Sequence, residues 1–328
     1  MGAPQQQLGF EAMPRRLFRA TPTRLLGWLD CPRRYRFTYL ERPTPPKGPP
    51  WAHNSVGASV HTALASWWRL PVHGRTPDAA GQILQRVWID EGFRDSAQSD
   101  RWCDYARRMV EHYVTGLDPC DEPIGVERTV AVTTPSLALS GRIDRVDARP
   151  VSSKPGDQGD TAGDQGDAAG GQGDTAGDQG DTAGEPPGGP GEVELVVVDY
   201  KTGRRSLTTA DARSSLALAV YAAATARTLH RRCRRVELHH LPTGTVVWWE
   251  HSAESLTRHI ARADGIGAEA AEAEAAYAQG LSPAECERTF PPAPGPQCAW
   301  CDFSAHCPEG RSAYPSNRPW DGLDTAVG

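Results

Sequence analysis

The stretch LVVVDYKTG, residues 195–203, sets an aspartate and a lysine two positions apart at the end of an apolar run. Side chains alternate along a strand, so Leu195, Val197, Asp199 and Lys201 share one face. The first two bury, and Asp199 and Lys201 emerge where the strand runs out. Lysine is scarce here: of 35 Lys and Arg, only Lys47, Lys154 and Lys201 are lysines. Arginine is planar and stays protonated, whereas lysine is a compact charge with a tunable pKa. It can orient an attacking water or neutralise a developing oxyanion. The preceding strand-like segment carries Asp144 in GRIDRVD. If the two strands pair antiparallel, Asp144 and Asp199 converge on one ion. Hard carboxylate oxygens suit Mg²⁺ or Mn²⁺, and such an ion can supply hydroxide and polarise a phosphoryl oxygen. An Asp-x-Lys pair alone is also what an ordinary solvated strand end carries.

A second constellation is built from cysteine. Cys298, Cys301 and Cys307 follow a C-x2-C-x5-C spacing, and Cys31, far away near the start, completes a set of four. Clustered thiolates suit Zn²⁺ or an iron–sulfur cluster, for which four cysteines are the usual complement. Zinc could use the C-terminal three with His306 or Cys31, and Cys286 could replace Cys31. Cys103, Cys120 and Cys233 lack ligand spacing and read as packing residues. Basic and aromatic residues lie close by, namely Arg33, Arg34, Tyr35, Arg36 and Trp300. Cationic grooves with stacking aromatics bind single-stranded nucleic acid, although a solvated arginine run and a shielding tryptophan fit each residue equally well.

These residues need elements to hold them. The first 120 residues read as mostly helical: a Thr-Pro start at TPTRLLGWLD, a Pro-rich break at ERPTPPKGPP, and a helix in SVGASVHTALASWW with Val56, Val60, Leu64 and Trp67 at helical spacing. Further helices are expected over 76–94 and 98–116. From Ile124 the period becomes two, predicting strands in IGVERTVAVTT and SLALSGRIDRVDAR and a third in EVELVVVDYKTG. A helix over 209–232, a hairpin through RRVELHHLPTGTVVWWEH and a long Ser-capped helix from Ser252 follow. The last 40 residues read as Pro-rich and irregular around the cysteines.

Between the second and third strands lies a repeat of the type GDQGDTA. Residues 151–191 hold seven Asp and Glu185 against Lys154, a charge of −7, so the net −6 of the chain hides a remainder near neutrality. With Ala as the only apolar candidate for stacking, this tract is expected to be a disordered acidic insertion at a hairpin tip. The apolar runs fall well short of the roughly 20 residues of a membrane span, and the first residues lack the apolar core of a secretory signal. A cytoplasmic protein without membrane contact is therefore expected, and disulfides are not.

GRIDRVD followed by VVVDYKTG resembles the RecB-like nucleases of the PD-(D/E)XK superfamily. Other pieces occur in that family's order: SVGASVH for its histidine helix, GVE on the strand before Asp144, and LALAVYA for its Gln-x-x-x-Tyr helix. The resemblance implies metal ligation by His61, Glu127, Asp144 and Asp199, a catalytic Lys201, and Tyr221 beside them. At the Gln position of the last motif this chain has Ala217. One distant cysteine plus a C-terminal triplet resembles the iron–sulfur subgroup of these nucleases, which implies a [4Fe–4S] cluster on Cys31, Cys298, Cys301 and Cys307, with structural zinc as the alternative. The implied fold is α/β: a small mixed sheet flanked by helices, with a helical N-terminal region and a Cys-ligated terminal subdomain. One nuclease domain would span 21–310, interrupted by 151–191, between tails at 1–20 and 311–328. The implied activity is Mg²⁺- or Mn²⁺-dependent exonuclease action on single-stranded DNA or DNA ends in repair or recombination. Alternatives are a catalytically silent iron–sulfur DNA-binding subunit and a zinc-stabilised hydrolase of another substrate. No G-x-x-x-x-G-K-[ST] occurs, so any helicase partner would be a separate chain.

Overall fold

The structure, a computed structural model, describes residues 17–150 and 193–323. The acidic insertion lies outside them, but its anchors do not. Pro150 and Val193 face each other at the ends of two antiparallel strands, so the tract joins the open end of a hairpin.

The chain opens with β1 (Phe18–Ala20), which three residues without alternation did not announce. Next come α1 (Pro22–Asp30) and α2 (Pro32–Tyr39). Thr21 caps α1 by accepting the Arg24 N–H, and the Cys31 sulfur takes the same role for α2. α3 (Ala52–Trp68) buries Val56, Val60, Leu64 and Trp67, as its spacing demands. α4 (Pro77–Arg86) and α5 (Ser96–Thr115) pack beside it. The helix expected over 76–94 therefore stops at Arg86. Beyond it the chain doubles back over the start of α3 through Gly92, whose φ of +82° ends any helix. A Cβ there would sit 2.4 Å from the Pro50 carbonyl oxygen and 2.5 Å from the Ala52 nitrogen.

β2 (Gly125–Thr133), β3 (Leu137–Pro150) and β4 (Val193–Lys201) form the centre of a mixed sheet. β3 pairs antiparallel with β2 and β4 and parallel with β1. α6 (Thr209–Ser214) and α7 (Leu216–Leu229) replace the single helix expected over 209–232. Ser215 breaks it, its hydroxyl accepting the Leu218 N–H to start α7 afresh. β5 (Cys233–His240) lies parallel to β4, and β6 (Thr245–Glu250) closes the sheet as an antiparallel edge. α8 (Ala253–Ala278), α9 (Pro283–Thr289) and α10 (Pro308–Ala313) complete the chain, with short 3₁₀ turns at Pro296–Trp300 and Ser304–His306.

The sheet is covered on both faces. Val196, Val198 and Tyr200 point into the core under α3, α4 and α5, and Leu195 and Val197 point into the core under α7. That is why β4 reads as an unbroken apolar run rather than an alternating one. α8 crosses outside α7, burying Ala263 and Ile266 against Leu25, Leu137 and Val220. Beyond the cysteines, Leu323 packs into the first core.

The arginine–aromatic run after Cys31 is internal. Arg33, Tyr35 and Arg36 are buried, and Arg33 pairs with Glu287 and Glu309, tying α2 to α9 and α10. Arg34 pairs with Asp30, and Trp300 packs edge-on against Trp51. A nucleic-acid groove there is thus excluded for these buried side chains, whose charges are consumed in docking the terminal helices.

Two expectations follow from this packing. Gly92→Ala places a Cβ against backbone that cannot yield and forces a left-handed alanine, so urea unfolding should show a loss of about 2–4 kcal/mol. His251 is 1% exposed and its Nδ1 lies 3.0 Å from the Ser255 hydroxyl. Its Nε2 has no hydrogen-bond partner among the described residues. Burial first, and then the neighbouring His259 imidazole, push its pKa down to about 4. The unfolded chain binds that proton near pH 6.5, so stability falls as pH drops from about 6.5 toward 4. Denaturant melts at pH 7 and pH 5 should show wild type losing about 2 kcal/mol more than His251→Gln.

Candidate active site

The strand register decides which side chains meet. Arg145 pairs with Val198, so the next position sets Asp144 opposite Asp199, and Asp144 Oδ2 accepts the Tyr200 N–H at 2.8 Å. α3 lies across this end of the sheet. At Gly57, one turn before His61, an added Cβ would come within 3.5 Å of the Thr202 hydroxyl. With Val60 and Leu64 locked in the core, His61 is turned onto the strands, its Nδ1 3.1 Å from Asp144 Oδ1. Burial alone would lower the His61 pKa, but the hydrogen bond and charge of Asp144, with Asp199 beyond, leave it raised.

Glu127 reaches the same point by a backbone device. Its φ is +51°, left-handed for a non-glycine residue. The β2–β3 ladder skips it, with Val126 on Arg145 and Arg128 on Ile143. Such a conformation costs free energy and persists where surroundings enforce it, often at functional sites. One ligand atom from each of His61, Glu127 and Asp144 lies within 4.8 Å of the other two. One imidazole and two carboxylates at that separation fit a hard divalent cation. Arg142, two residues before Asp144, holds its Nε 2.7 Å from Glu127 Oε2.

Asp199 stands across from this trio, and its carboxylate is ion-paired with the Lys201 ammonium. Burial raises the Asp199 pKa, Lys201 opposes that, and the Asp144 charge adds to it, for a net rise. Lys201, the last residue of β4, remains 45% exposed. Tyr221 approaches from α7 and its ring lies on β3 at Gly141, where a Cβ would sit 2.4 Å from Cε1. Glycine at 141 is what lets the ring in. Burial, and then the charges of Asp199 and Asp144, raise the Tyr221 pKa. Ala217, one turn earlier on α7, adds no polar group.

Sequence reading missed what lies on the opposite face. The buried Arg145 guanidinium bonds Asp147 at 2.9 Å, Tyr200 Oη at 3.2 Å and Tyr113 Oη at 3.3 Å. Tyr113 continues to His239 at 2.7 Å, and His239 to Glu237 at 3.0 Å. The signal was present in strand alternation: if Asp144 and Asp199 face outward to the site, Arg145 and Tyr200 must face inward together.

The four cysteines singled out by spacing also meet. Cys31, Cys298, Cys301 and Cys307 line one cavity with Arg33, Phe37 and Phe303. Gly310 closes its wall: a Cβ there would lie 3.2 Å from the Cys307 sulfur and 3.3 Å from that of Cys298. Burial raises the Cys301 pKa; the Phe303 backbone and Arg34 oppose the rise, and Cys31 and Cys298 add to it. Among the described residues, the set whose ligand atoms lie within 4.8 Å of one another is that of His61, Glu127 and Asp144. The two other candidate ligands are elsewhere. Cys286 packs against the cluster around Phe290, and His306 Nε2 lies 3.0 Å from the Pro46 carbonyl oxygen. All eight cysteines are free thiols, and Cys233 is buried in the core under α7.

No curated protein matches the chain. The family model of the PD-(D/E)XK nuclease superfamily matches residues 19–154 and 189–308. The two segments carry the mixed sheet, His61, Glu127, Asp144, Asp199 and Lys201, and all four cavity cysteines, and they are separated only within the Gly/Asp-rich tract. On that match, and on the helix-flanked sheet that brings these side chains together, the chain belongs to the PD-(D/E)XK nuclease superfamily.

Proposed function

We propose that this protein is a metal-dependent DNA exonuclease that hydrolyses single-stranded DNA or DNA ends, acting in the cytoplasm in repair or recombination. The observation that carries the reading is the meeting of His61, Glu127 and Asp144 within 4.8 Å, beside the Asp199–Lys201 pair at the end of β4. His61, Glu127 and Asp144 would hold a Mg²⁺ or Mn²⁺ ion, with Asp199 facing it across the β3–β4 pair. Bound there, such an ion supplies Lewis-acid stabilisation of the phosphoryl oxygens and lowers the pKa of a water.

The remaining chemistry belongs to the chain. Lys201 is anchored by Asp199, which fixes its ammonium while leaving it partly open to solvent. From there it can orient the attacking water toward phosphorus and offset charge on the phosphoryl oxygens as the P–O bond breaks. Tyr221 walls the carboxylates on the α7 side and keeps bulk water from them. The role of position 201 explains a lysine in an arginine-rich chain: a guanidinium cannot give up a proton and would spread its charge over a plane.

The shared cavity and the C-x2-C-x5-C spacing suit a [4Fe–4S] cluster on Cys31, Cys298, Cys301 and Cys307, with structural zinc as the alternative. In that reading the cluster is a staple joining α2 to the C-terminal segment. Unwinding would fall to a separate helicase subunit. Ala217, standing where the family's motif has Gln, keeps a second reading in play, that of a silent iron–sulfur DNA-binding subunit.

The test is cleavage of end-labelled single- and double-stranded DNA with Mg²⁺ or Mn²⁺ by anaerobically purified protein. Wild type should cut, and Lys201→Ala should fall by about 10²–10⁴-fold, with Asp144→Asn inactive. DNA binding without cleavage under either ion would favour the silent subunit. Metal analysis of the same protein should find about four irons per chain, reduced in Cys298→Ser. Zinc at one per chain with no iron would replace the cluster by a structural zinc.

A further inference from the structure

We propose that Arg142 is a substrate-phosphate contact, a role that rests on the nuclease reading and assigns one more residue to it. Arg142 and Asp144 share one side of β3 by alternation, which sets the arginine at the rim of the site. Its side chain is 71% exposed, and its Nε lies 2.7 Å from Glu127 Oε2. Among the described residues this is its only ion pair. The ion pair thus lies on the Nε side of the guanidinium, and among the described residues no ion pair engages its two terminal NH₂ groups. A guanidinium held this way presents a preoriented fork, the geometry that matches phosphate oxygens bidentately.

Charge gives the reason such a group is needed. A divalent ion bound there would offset two of the three carboxylate charges of Glu127, Asp144 and Asp199, so an approaching phosphodiester still meets a site whose side-chain cations are already paired. Lys201 is engaged by Asp199, and the His61 imidazole by Asp144. The Glu127 ligand atom lies within 4.8 Å of those of His61 and Asp144, so the guanidinium ion-paired with Glu127 borders the place where the phosphate must sit. Glu127 then has two duties, one toward an ion and one toward Arg142, and it meets both from a left-handed backbone, φ +51°.

The competing role is that Arg142 only neutralises Glu127. Binding of a fluorescein-labelled oligothymidylate, followed by anisotropy in Ca²⁺ across a salt series, separates the two. Arg142→Gln should weaken binding about tenfold. It should also reduce the slope of log affinity against log salt by about 0.7, the value for one lost phosphate contact on a single strand. Arg142→Lys should restore the slope and part of the affinity. Calorimetric titration of Ca²⁺ without DNA should show Arg142→Gln binding the ion at least as well as wild type. Arg142 is exposed, so an unchanged thermal melt is expected and removes misfolding as an explanation. If wild type binds and cleaves DNA while Arg142→Gln matches it in affinity and slope, the inference is overturned and the nuclease reading stands. If wild type has no affinity for the oligonucleotide, both fall together.

Discussion

The antiparallel pairing of β3 with β4 is the constraint on which the rest depends. Because Arg145 faces Val198, Asp144 faces Asp199, and the two carboxylates are placed by backbone hydrogen bonds rather than by flexible side chains. A shift of one residue would send every side chain of a strand to the opposite face. Two cores prevent it. Val196, Val198 and Tyr200 are committed to one, and Leu195 and Val197 to the other. Strand β4 can therefore carry an aspartate and a lysine at its end with little freedom to misplace them.

Around this fixed pair the remaining groups are delivered by different devices. His61 depends on α3, and α3 depends on the terminal segment. The Trp51 indole donates to Asp302 at 2.8 Å, the Gly48 N–H to the Asp302 carbonyl at 2.7 Å, and the Ala52 N–H to the Pro319 carbonyl at 3.1 Å. Asp302 directly follows Cys301, so the cysteine cavity and the start of the histidine helix form one mechanical unit. Glu127 depends on a left-handed residue that interrupts the β2–β3 ladder. Tyr221 depends on the missing side chain of Gly141.

Beneath the site, the Arg145–Tyr113–His239–Glu237 network locks β3, β4, β5 and α5 together. Glu237 is held down to a pKa of about 2: burial opposes this, but His239, Arg149 and Arg235 outweigh it. Buried networks of this kind tolerate little displacement, because a polar group left unpaired in a low-dielectric interior is costly. The site is thus shaped from below by polar contacts and from the sides by apolar packing.

Much of this was legible in the sequence, for physical reasons. Strand alternation marked Asp199 and Lys201 as neighbours. The change of period at Ile124 separated helices from strands, and Cys spacing marked four thiols that do share a cavity. The helix end at Arg86 and the break at Ser215 escaped, because propensity favours continuing a helix and only the fold's need to turn back overrides it. The burial of Arg33, Tyr35 and Arg36 escaped too, since an arginine run reads as solvated until acidic partners from α9 and α10 arrive. What the sequence determined alone was local: periodicity, caps, and the scarcity of lysine. The left-handed turn of Glu127, the pairing of Arg142 with it, and the separation of Asp199 from the His61 trio were decided only by tertiary structure. Each depends on contacts between residues far apart in the chain, which no local periodicity encodes.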